Sequence, residues 1–515
     1  MNFVRTIAAV GGYTMISRAT GFLRDMLIAS IGGAGPTADA FFVAFQIPNF
    51  FRRLTGEGAL TVAFVPMFAE MIESRNNYLA ITFAGQVQSI LLLFLLILLA
   101  LAEFATPNLI MLFAPGFIGD DNRCSIAIEL TKIIFPYLVL ISLVALWGGM
   151  LNSIGKFSAM AAAPILLNLI MIASLLITPG ILETPSHALA WSVTVAGIVQ
   201  AFFLAVACHQ EGILPPLVFP HLTPEVKRLL VLISPAALGA GVIQLNAFIG
   251  IWLASLLPTG SISYIYYADR IIQLPLGVVG VAIGTAILPM LARQIRAKEA
   301  ETALLTQHKA MEIGLFLTVP IAILFYLLAD PLIALLFQRG AFSVIDSEKT
   351  ASILATYAAG LPAFVLIKIL QPGFFARQDT STPVKIAIVI VIVNVFCSIM
   401  FLPIFDQISI AVASVISSWL NAVMLATLLY RRRHIMIDKR LFIMTLKIFL
   451  SATAMASGVS FLMNKINHWL IGDKFEQAIA VLCLSVCGTV LYIIACLMMK
   501  IIYLRNYAIV WRNYR

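Results

Sequence analysis

The chain reads as an all-α polytopic membrane protein, with about fourteen transmembrane helices at roughly 20 apolar residues per crossing. Twelve of them form two parallel six-helix repeats, and two more follow. Three observations carry this reading. The 515 residues are 61% hydrophobic and only 11% charged, with a mean hydropathy of +1.01, which no soluble globular chain approaches. The apolar runs are continuous instead of alternating, which excludes a closed β-barrel. The halves also match each other at nearly constant offset. AFVPMFAE at 63–70 recurs as AILPMLAR at 286–293. Pro107, Leu112, Phe113 and Gly116 recur as Pro331, Leu336, Phe337 and Gly340, and Pro136, Val139, Leu140, Ile141 and Asn168 as Pro362, Val365, Leu366, Ile367 and Asn394. Because about six spans separate equivalent positions, the repeats share orientation, and a binding site is expected between them.

Span 1 covers about 6–33 and contains Ser17, Arg18, Gly21, Arg24 and Asp25. Those charges interrupt its apolar run, so it does not read as a cleavable signal. Arg18 and Asp25, seven apart, share a helix face, and Gly21 between them leaves room for close approach. Span 2, about 38–70, holds Asp39, Gln46, Arg52, Arg53 and Glu57 with Pro48 in the middle. Spacings of seven, seven and four put Asp39, Gln46, Arg53 and Glu57 on one face of a straight helix, and Pro48 is expected to bend it. Span 3, about 81–103, is featureless and lipid-facing. Spans 4 to 6 lie near 126–152, 158–177 and 187–208.

Beyond a connector with Pro215, Pro216, Lys227 and Arg228, span 7 runs over about 229–257. Span 8, about 262–292, carries Asp269 and Arg270. Spans 9 to 12 fall near 312–329, 351–376 (with Lys368), 384–402 and 408–430. Spans 13 and 14, about 441–463 and 475–499, have no buried-charge pattern. The resulting domains are a first lobe at 1–210, a second at 225–433, and two extra helices at 440–503.

The net charge of +9 comes from 33 basic and 24 acidic residues, and most basic residues sit in short connectors. That is the positive-inside pattern, not a nucleic-acid surface. Lys227/Arg228, Arg293/Arg296/Lys298 and Arg431 to Arg433 with Lys439/Arg440 fall on one side, while connectors 32–38, 178–186, 257–263 and 402–410 contain no Lys or Arg. An even number of spans then puts both termini in the cytoplasm. The six cysteines show no ligand spacing and imply no disulfide framework. The six histidines are scattered at span ends, and no Walker-type phosphate loop occurs. No metal, cofactor or enzymatic site is expected.

An ionised side chain at the bilayer centre costs roughly 2.5–3.5 kcal/mol on insertion scales, so such residues face protein or a wet cavity. The intramembrane set is Arg18, Arg24, Arg52, Arg53, Arg270 and Lys368 against Asp25, Asp39, Glu57 and Asp269. Six cations facing four anions cannot neutralise one another, so water or an anionic ligand must supply the difference. Arginine binds phosphate bidentately and never deprotonates, which suits a diphosphate. The competing reading makes Arg18–Asp25 and Arg270–Glu57 internal ion pairs that hold the bundles together.

SRATGFLRD (17–25), ADAFFVAFQIPNFFRRLTGEGA (38–59), YYADRIIQLPLGVVGVAIGTAILP (266–289) and PGFFARQDTSTPVK (372–385) resemble the MurJ/MviN family of lipid II flippases, over essentially the full length. The resemblance implies V-shaped, MATE-like six-helix lobes with a cationic central cavity, and two C-terminal helices forming a groove for a polyprenyl tail. It implies substrate binding at Arg18, Arg24, Arg52 and Arg270, with Asp39 and Glu57 as acidic positions. Ser17, Arg53, Asp25, Asp269 and Lys368 join them as candidates. Gln46 departs from the family, where lysine is common. Span 7 offers only Gln244 and Asn246, and span 11 only Asn394, in place of the acidic sodium ligands of some members. The implied activity is flipping of lipid II across the bacterial inner membrane for cell-wall synthesis, with membrane lipids and cell-wall synthesis or division proteins as further partners. The rivals are a drug/cation antiporter of the same superfamily, which wants an acidic cavity, and a membrane glycosyltransferase, which wants a loop carboxylate such as Asp120, Asp121, Asp346 or Glu348.

Overall fold

A computed structural model describes residues 3–53, 61–74, 77–177, 183–436 and 439–501. Glu57 lies outside them. The described residues form helices joined mostly by short turns, the connector between Gln210 and Pro224 being longer, with no strand among them. In chain order the helices are α1 (Phe3–Gly32), α2 (Pro36–Arg52), α3 (Thr61–Glu73), α4 (Asn77–Phe104), α5 (Thr106–Phe113), α6 (Asp121–Ile134), α7 (Tyr137–Ser153), α8 (Ser158–Ile177), α9 (Pro185–Gln210) and α10 (Pro224–Ser255). Then come α11 (Ser261–Pro275), α12 (Ala282–Arg296), α13 (Ala300–Leu327), α14 (Ala329–Leu336), α15 (Val344–Phe375), α16 (Ser381–Phe405), α17 (Ser409–Arg431), α18 (Lys439–Lys465), α19 (Asn467–Ile471) and α20 (Lys474–Met498).

The apolar bodies are bounded by polar caps that take up the orphan N–H groups of the first turns. Thr184 accepts from His187 N at the start of α9, Thr223 from Val226 N at α10, and Asp473 forms a capping box with Glu476 at α20. Ten stretches are long and apolar enough to cross a membrane among the described residues; three of them contain two helices each, Asp121–Ser153 (α6 and α7), Ser261–Arg296 (α11 and α12) and Ser381–Arg431 (α16 and α17), the last at 51 residues. The fold class therefore stands, while a count of fourteen crossings goes beyond that criterion.

Three details refine the helix reading. Span 8 is interrupted: α11 ends at Pro275, a π-helical segment covers Leu276–Val281, and α12 resumes. Proline removes a backbone donor and displaces the carbonyl a turn earlier, and π-bulges are one way a helix absorbs that. Span 4 divides at Pro136 into α6 and α7, whereas its repeat partner α15 runs unbroken through Pro362. Finally, α5 and α14 are eight residues each, too short to cross, and lie at equivalent places after α4 and α13.

The chain forms two compact units, Met1–Ser263 with Arg339–Ser343, and Tyr264–Gln338 with Val344–Arg515. In the first, Trp147 Nε1 donates to buried Gln88 at 2.7 Å, joining α7 to α4, and Phe64 stacks between Phe68 and Phe83. Helix α10, placed by sequence in the second lobe, groups with this unit: Phe248 packs edge-on against Phe113, and Gly116 N donates to Ser255 Oγ. The Arg339–Ser343 segment seats against the end of α1, where Ala341 N donates to Ser30 O at 2.7 Å. In the second unit, α13, α15 and α17 pack together, and the C-terminal helices join it. Tyr492 OH of α20 donates to Phe316 O of α13 at 2.9 Å, and Lys474 Nζ to Ala334 O of α14.

Candidate functional site

On α1 the charged residues separate by burial. Arg18 is exposed, whereas Arg24 and Asp25 are buried, with 5% and 0% of their surface accessible. Arg24 Nε and Nη2 both donate to Asp25 Oδ1, at 3.0 and 2.7 Å, and Nη1 donates to Asn168 Oδ1 on α8 at 2.9 Å. Asn168 Nδ2 in turn donates to Ser17 O at 3.0 Å and faces Thr20 Oγ1 at 3.3 Å. Gly21 makes this possible, since a Cβ there would stand 3.3 Å from Asn168 Nδ2. The close approach expected at Gly21 is thus the approach of Asn168. The seven-residue spacing pairs Asp25 with Arg18; the structure pairs it with its neighbour Arg24.

On α2, Asp39 is wholly buried and accepts three hydrogen bonds: from Gly260 N at 2.6 Å, Ser263 N at 3.0 Å and Ser263 Oγ at 2.6 Å. It therefore serves the first turn of α11, an arrangement in which a carboxylate satisfies orphan helix N–H groups. Gln46 is half-buried and Arg53 exposed, so the predicted stripe runs from buried to open along the helix. Arg52 Nε donates to Asn49 Oδ1 at 2.9 Å, and Arg53 Nη1 reaches Gln244 Oε1 at 3.5 Å.

In the second unit, Arg270 Nη2 donates to Tyr266 OH at 3.2 Å with its guanidinium 5.3 Å from that ring's centre, a cation–π arrangement. Asp269 accepts from Gln273 Nε2, one turn on. Lys368 of α15 is exposed, and its backbone carbonyl lies 2.8 Å from where a Cβ on Gly284 would be. Sequence reasoning did not anticipate Asn49, Asn168, Tyr266 or Ser263 as partners of these charges. For Asn168 a signal existed, its recurrence as Asn394.

The PGFFARQDTSTPVK stretch forms the α15–α16 turn. Asp379 accepts from Thr382 N at 2.9 Å, from Thr382 Oγ1 at 2.6 Å and from Arg432 Nη1 beyond α17. The Thr382 bonds, then Arg432, hold its carboxyl down to about 2. Nearby His434 is pushed below its ordinary value by burial and by Arg377 and Arg432, with Asp379 opposing. Of the four loop carboxylates considered for a glycosyltransferase, two are engaged: Asp120 accepts from Arg123 N and Nε, and Asp346 accepts from Tyr264 OH. Among the described residues, Glu129, Glu183 and His187 bring ligating atoms within 4.8 Å of one another. Two largely exposed carboxylates do not make a built metal site, and none of the three belongs to the arginine set.

A family model described as lipid II flippase MurJ matches residues 28–480. The chain belongs to that family. It is 43% identical over 469 residues to a probable lipid II flippase MurJ of Rhizobium tropici, covering 90% of this chain and 88% of the relative. Against the lipid II flippase MurJ of Burkholderia cenocepacia it is 36% identical, covering 82% and 83%. Among solved structures, a lipid II flippase MurJ in an inward closed conformation superposes with a TM-score of 0.78 at 25% identity, covering 95% and 98%. An inward-facing MATE multidrug transporter superposes at 0.68 and 15% identity, covering 81% and 94%, a likeness of fold. Family membership puts the chain among multi-pass transporters of the bacterial inner membrane, not among enzymes.

Proposed function

We propose that the chain flips lipid II from the cytoplasmic to the periplasmic leaflet by alternating access. Membership of the flippase family supports the substrate; the state of Arg18 supports the chemistry. On one helix, Arg24 has its charge met by Asp25 and Asn168, while Arg18, nearly two turns earlier, stays exposed. In this reading α1 crosses the bilayer, where an exposed guanidinium needs water or an anion, and a lipid diphosphate supplies two phosphates suited to bidentate arginine contacts. Arg52, Arg53, Arg270 and Lys368 extend the cationic set in this reading. Arg24, Asp25 and Asp39 support it from within the protein, Ser17 anchors Asn168, and Asp269 belongs to the Arg270 turn. The polyprenyl tail stays in lipid along α18 and α20, and both termini face the cytoplasm. Cell-wall synthesis or division proteins are candidate partners.

The test is reconstitution of the purified chain in vesicles and measurement of lipid II exposed on the far leaflet. Arg18→Ala and Arg270→Ala should each abolish exposure while the protein remains folded and membrane-inserted. Undiminished exposure with both variants would sink the arginine assignment. A drug antiporter would show substrate-driven cation exchange in place of lipid exposure.

A further inference from the structure

The connector between α9 and α10 is not helical, yet it is held to the protein by specific contacts. From Ile213 to Thr223 it has no regular secondary structure and lies against α4 at Gly85, Gln86 and Ser89, in the third and fourth turns of a candidate membrane span. Two α4 side chains hold it: Val218 N donates to Ser89 Oγ at 3.2 Å and His221 N to Gln86 Oε1 at 2.9 Å. Gly85 forms the seat, since a Cβ there would lie 2.7 Å from Pro216 O. Outward, the same stretch presents Leu217, Phe219 and Leu222 at 75%, 79% and 58% exposure.

Backbone polar groups at a lipid boundary must be satisfied by the protein, because acyl chains satisfy none. This segment meets that demand at seven of its eleven positions, which suits the membrane interface and not the hydrocarbon centre. Pro215, Pro216 and Pro220 have no N–H to satisfy, Val218 and His221 hand theirs to α4, Ile213 and Thr223 donate to Cys208 O and His221 O, and the N–H groups of Leu214, Leu217, Phe219 and Leu222 are left to the hydrated headgroup layer. Its exposed side chains are also continuous with an apolar face. From Ser89, steps of four residues along α4 reach Leu93, Ile97 and Leu101, which are 49%, 53% and 62% exposed. Exposed Lys227 and Arg228 follow directly in α10, as at the anionic edge of a bilayer.

We propose that residues 213–223 are an interfacial membrane anchor whose Leu217, Phe219 and Leu222 lie among the upper acyl chains of an anionic bilayer. The inter-repeat connector is then a lipid-embedded strap, and its occupant is the bilayer itself. This is independent of which substrate the chain carries.

The experiment uses the full chain in phosphatidylethanolamine–phosphatidylglycerol vesicles, its six cysteines replaced by serine. Nitroxide labels are introduced one at a time through Leu217→Cys, Phe219→Cys and Lys227→Cys. Collision with oxygen should exceed collision with a water-soluble nickel chelate severalfold at 217 and 219, with the order reversed at 227. Chelate-dominated collision at 217 and 219 would overturn the proposal in favour of a solvated loop. Exclusion of both reagents would overturn it in favour of a protein partner or second copy. Should the cysteine-free chain not fold, Phe219→Trp in the native chain serves instead. Lipids brominated near the top of the acyl chain should quench its added fluorescence, and unquenched emission refutes the anchor.

Discussion

Arg24 on α1 and Asn168 on α8 are joined by a 2.9 Å hydrogen bond across 144 residues of chain. Asn168 uses both ends of its amide, accepting from the guanidinium and donating to the Ser17 carbonyl. One residue thereby sets both the Arg24 rotamer and the register of α1 against α8. The equivalent Asn394 donates instead to Ser417 Oγ at 3.0 Å, on its own neighbour α17.

Replacing Asn168 with Leu removes that acceptor from a buried cation, costing about 1–3 kcal/mol. The melting temperature in detergent should fall, and lipid exposure with it. Asn168→Asp keeps the acceptor toward Arg24 and should recover most of the flipping. If Leu and Asp variants behave alike, Arg24 positioning is not what Asn168 provides.

Asp39→Ala leaves Gly260 N, Ser263 N and Ser263 Oγ without their buried acceptor. The expected loss is several kcal/mol at about 1–3 kcal/mol per orphaned group, seen as reduced yield and melting temperature before any effect on transport. Asp39→Asn, which can still accept through one oxygen, should be milder. An Ala variant as stable as the parent would contradict the capping role.

Gly340 has φ of +59° and a Cβ there would stand 2.1 Å from Ser30 O. Gly340→Ala should cost about 1–3 kcal/mol in backbone strain alone, with the Ser30 clash in addition. Hydrogen exchange at Ala341 N, which donates to Ser30 O, reports it directly: the amide should exchange faster. Unchanged protection would show that the segment relaxes without leaving α1.

The α15–α16 turn carries a pH dependence with a definite sign. Asp379 is held below its ordinary 3.8, at about 2, so its stabilisation is complete above pH about 4 and is lost as pH falls toward about 2. His434 is held below its ordinary 6.5, so the native state binds fewer protons than the unfolded chain and stability declines as pH drops through about 6.5. Melting temperatures across pH should show both steps. Asp379→Asn should erase the acid one and His434→Gln the one near neutrality. Persistence of either step in its variant would assign it elsewhere.

Much of the fold was legible in the residue order because the bilayer imposes one-dimensional constraints. Long apolar runs such as 77–104 or 474–498 must be helical to satisfy their own backbones, and the repeat offsets exposed the doubling of α4–α5 as α13–α14. Hydropathy clipped helices where charges begin: span 9 was read from about 312, whereas α13 starts at Ala300. The Pro275 break was visible as a proline, but its resolution as a π segment was not.

The sequence alone determined the helical membrane class, the doubled plan, and the surplus of arginine over carboxylate within apolar runs. Only the tertiary structure decided which charges are spent inside the protein. Asp25 goes to Arg24 and Asp39 to the first turn of α11, while Arg18 stays exposed. The reason is physical: hydrophobic periodicity is local and writes itself into neighbouring residues. The partner of a buried charge is chosen by packing between helices more than a hundred residues apart, and no spacing along α1 or α2 encodes where Asn168 or Ser263 will arrive.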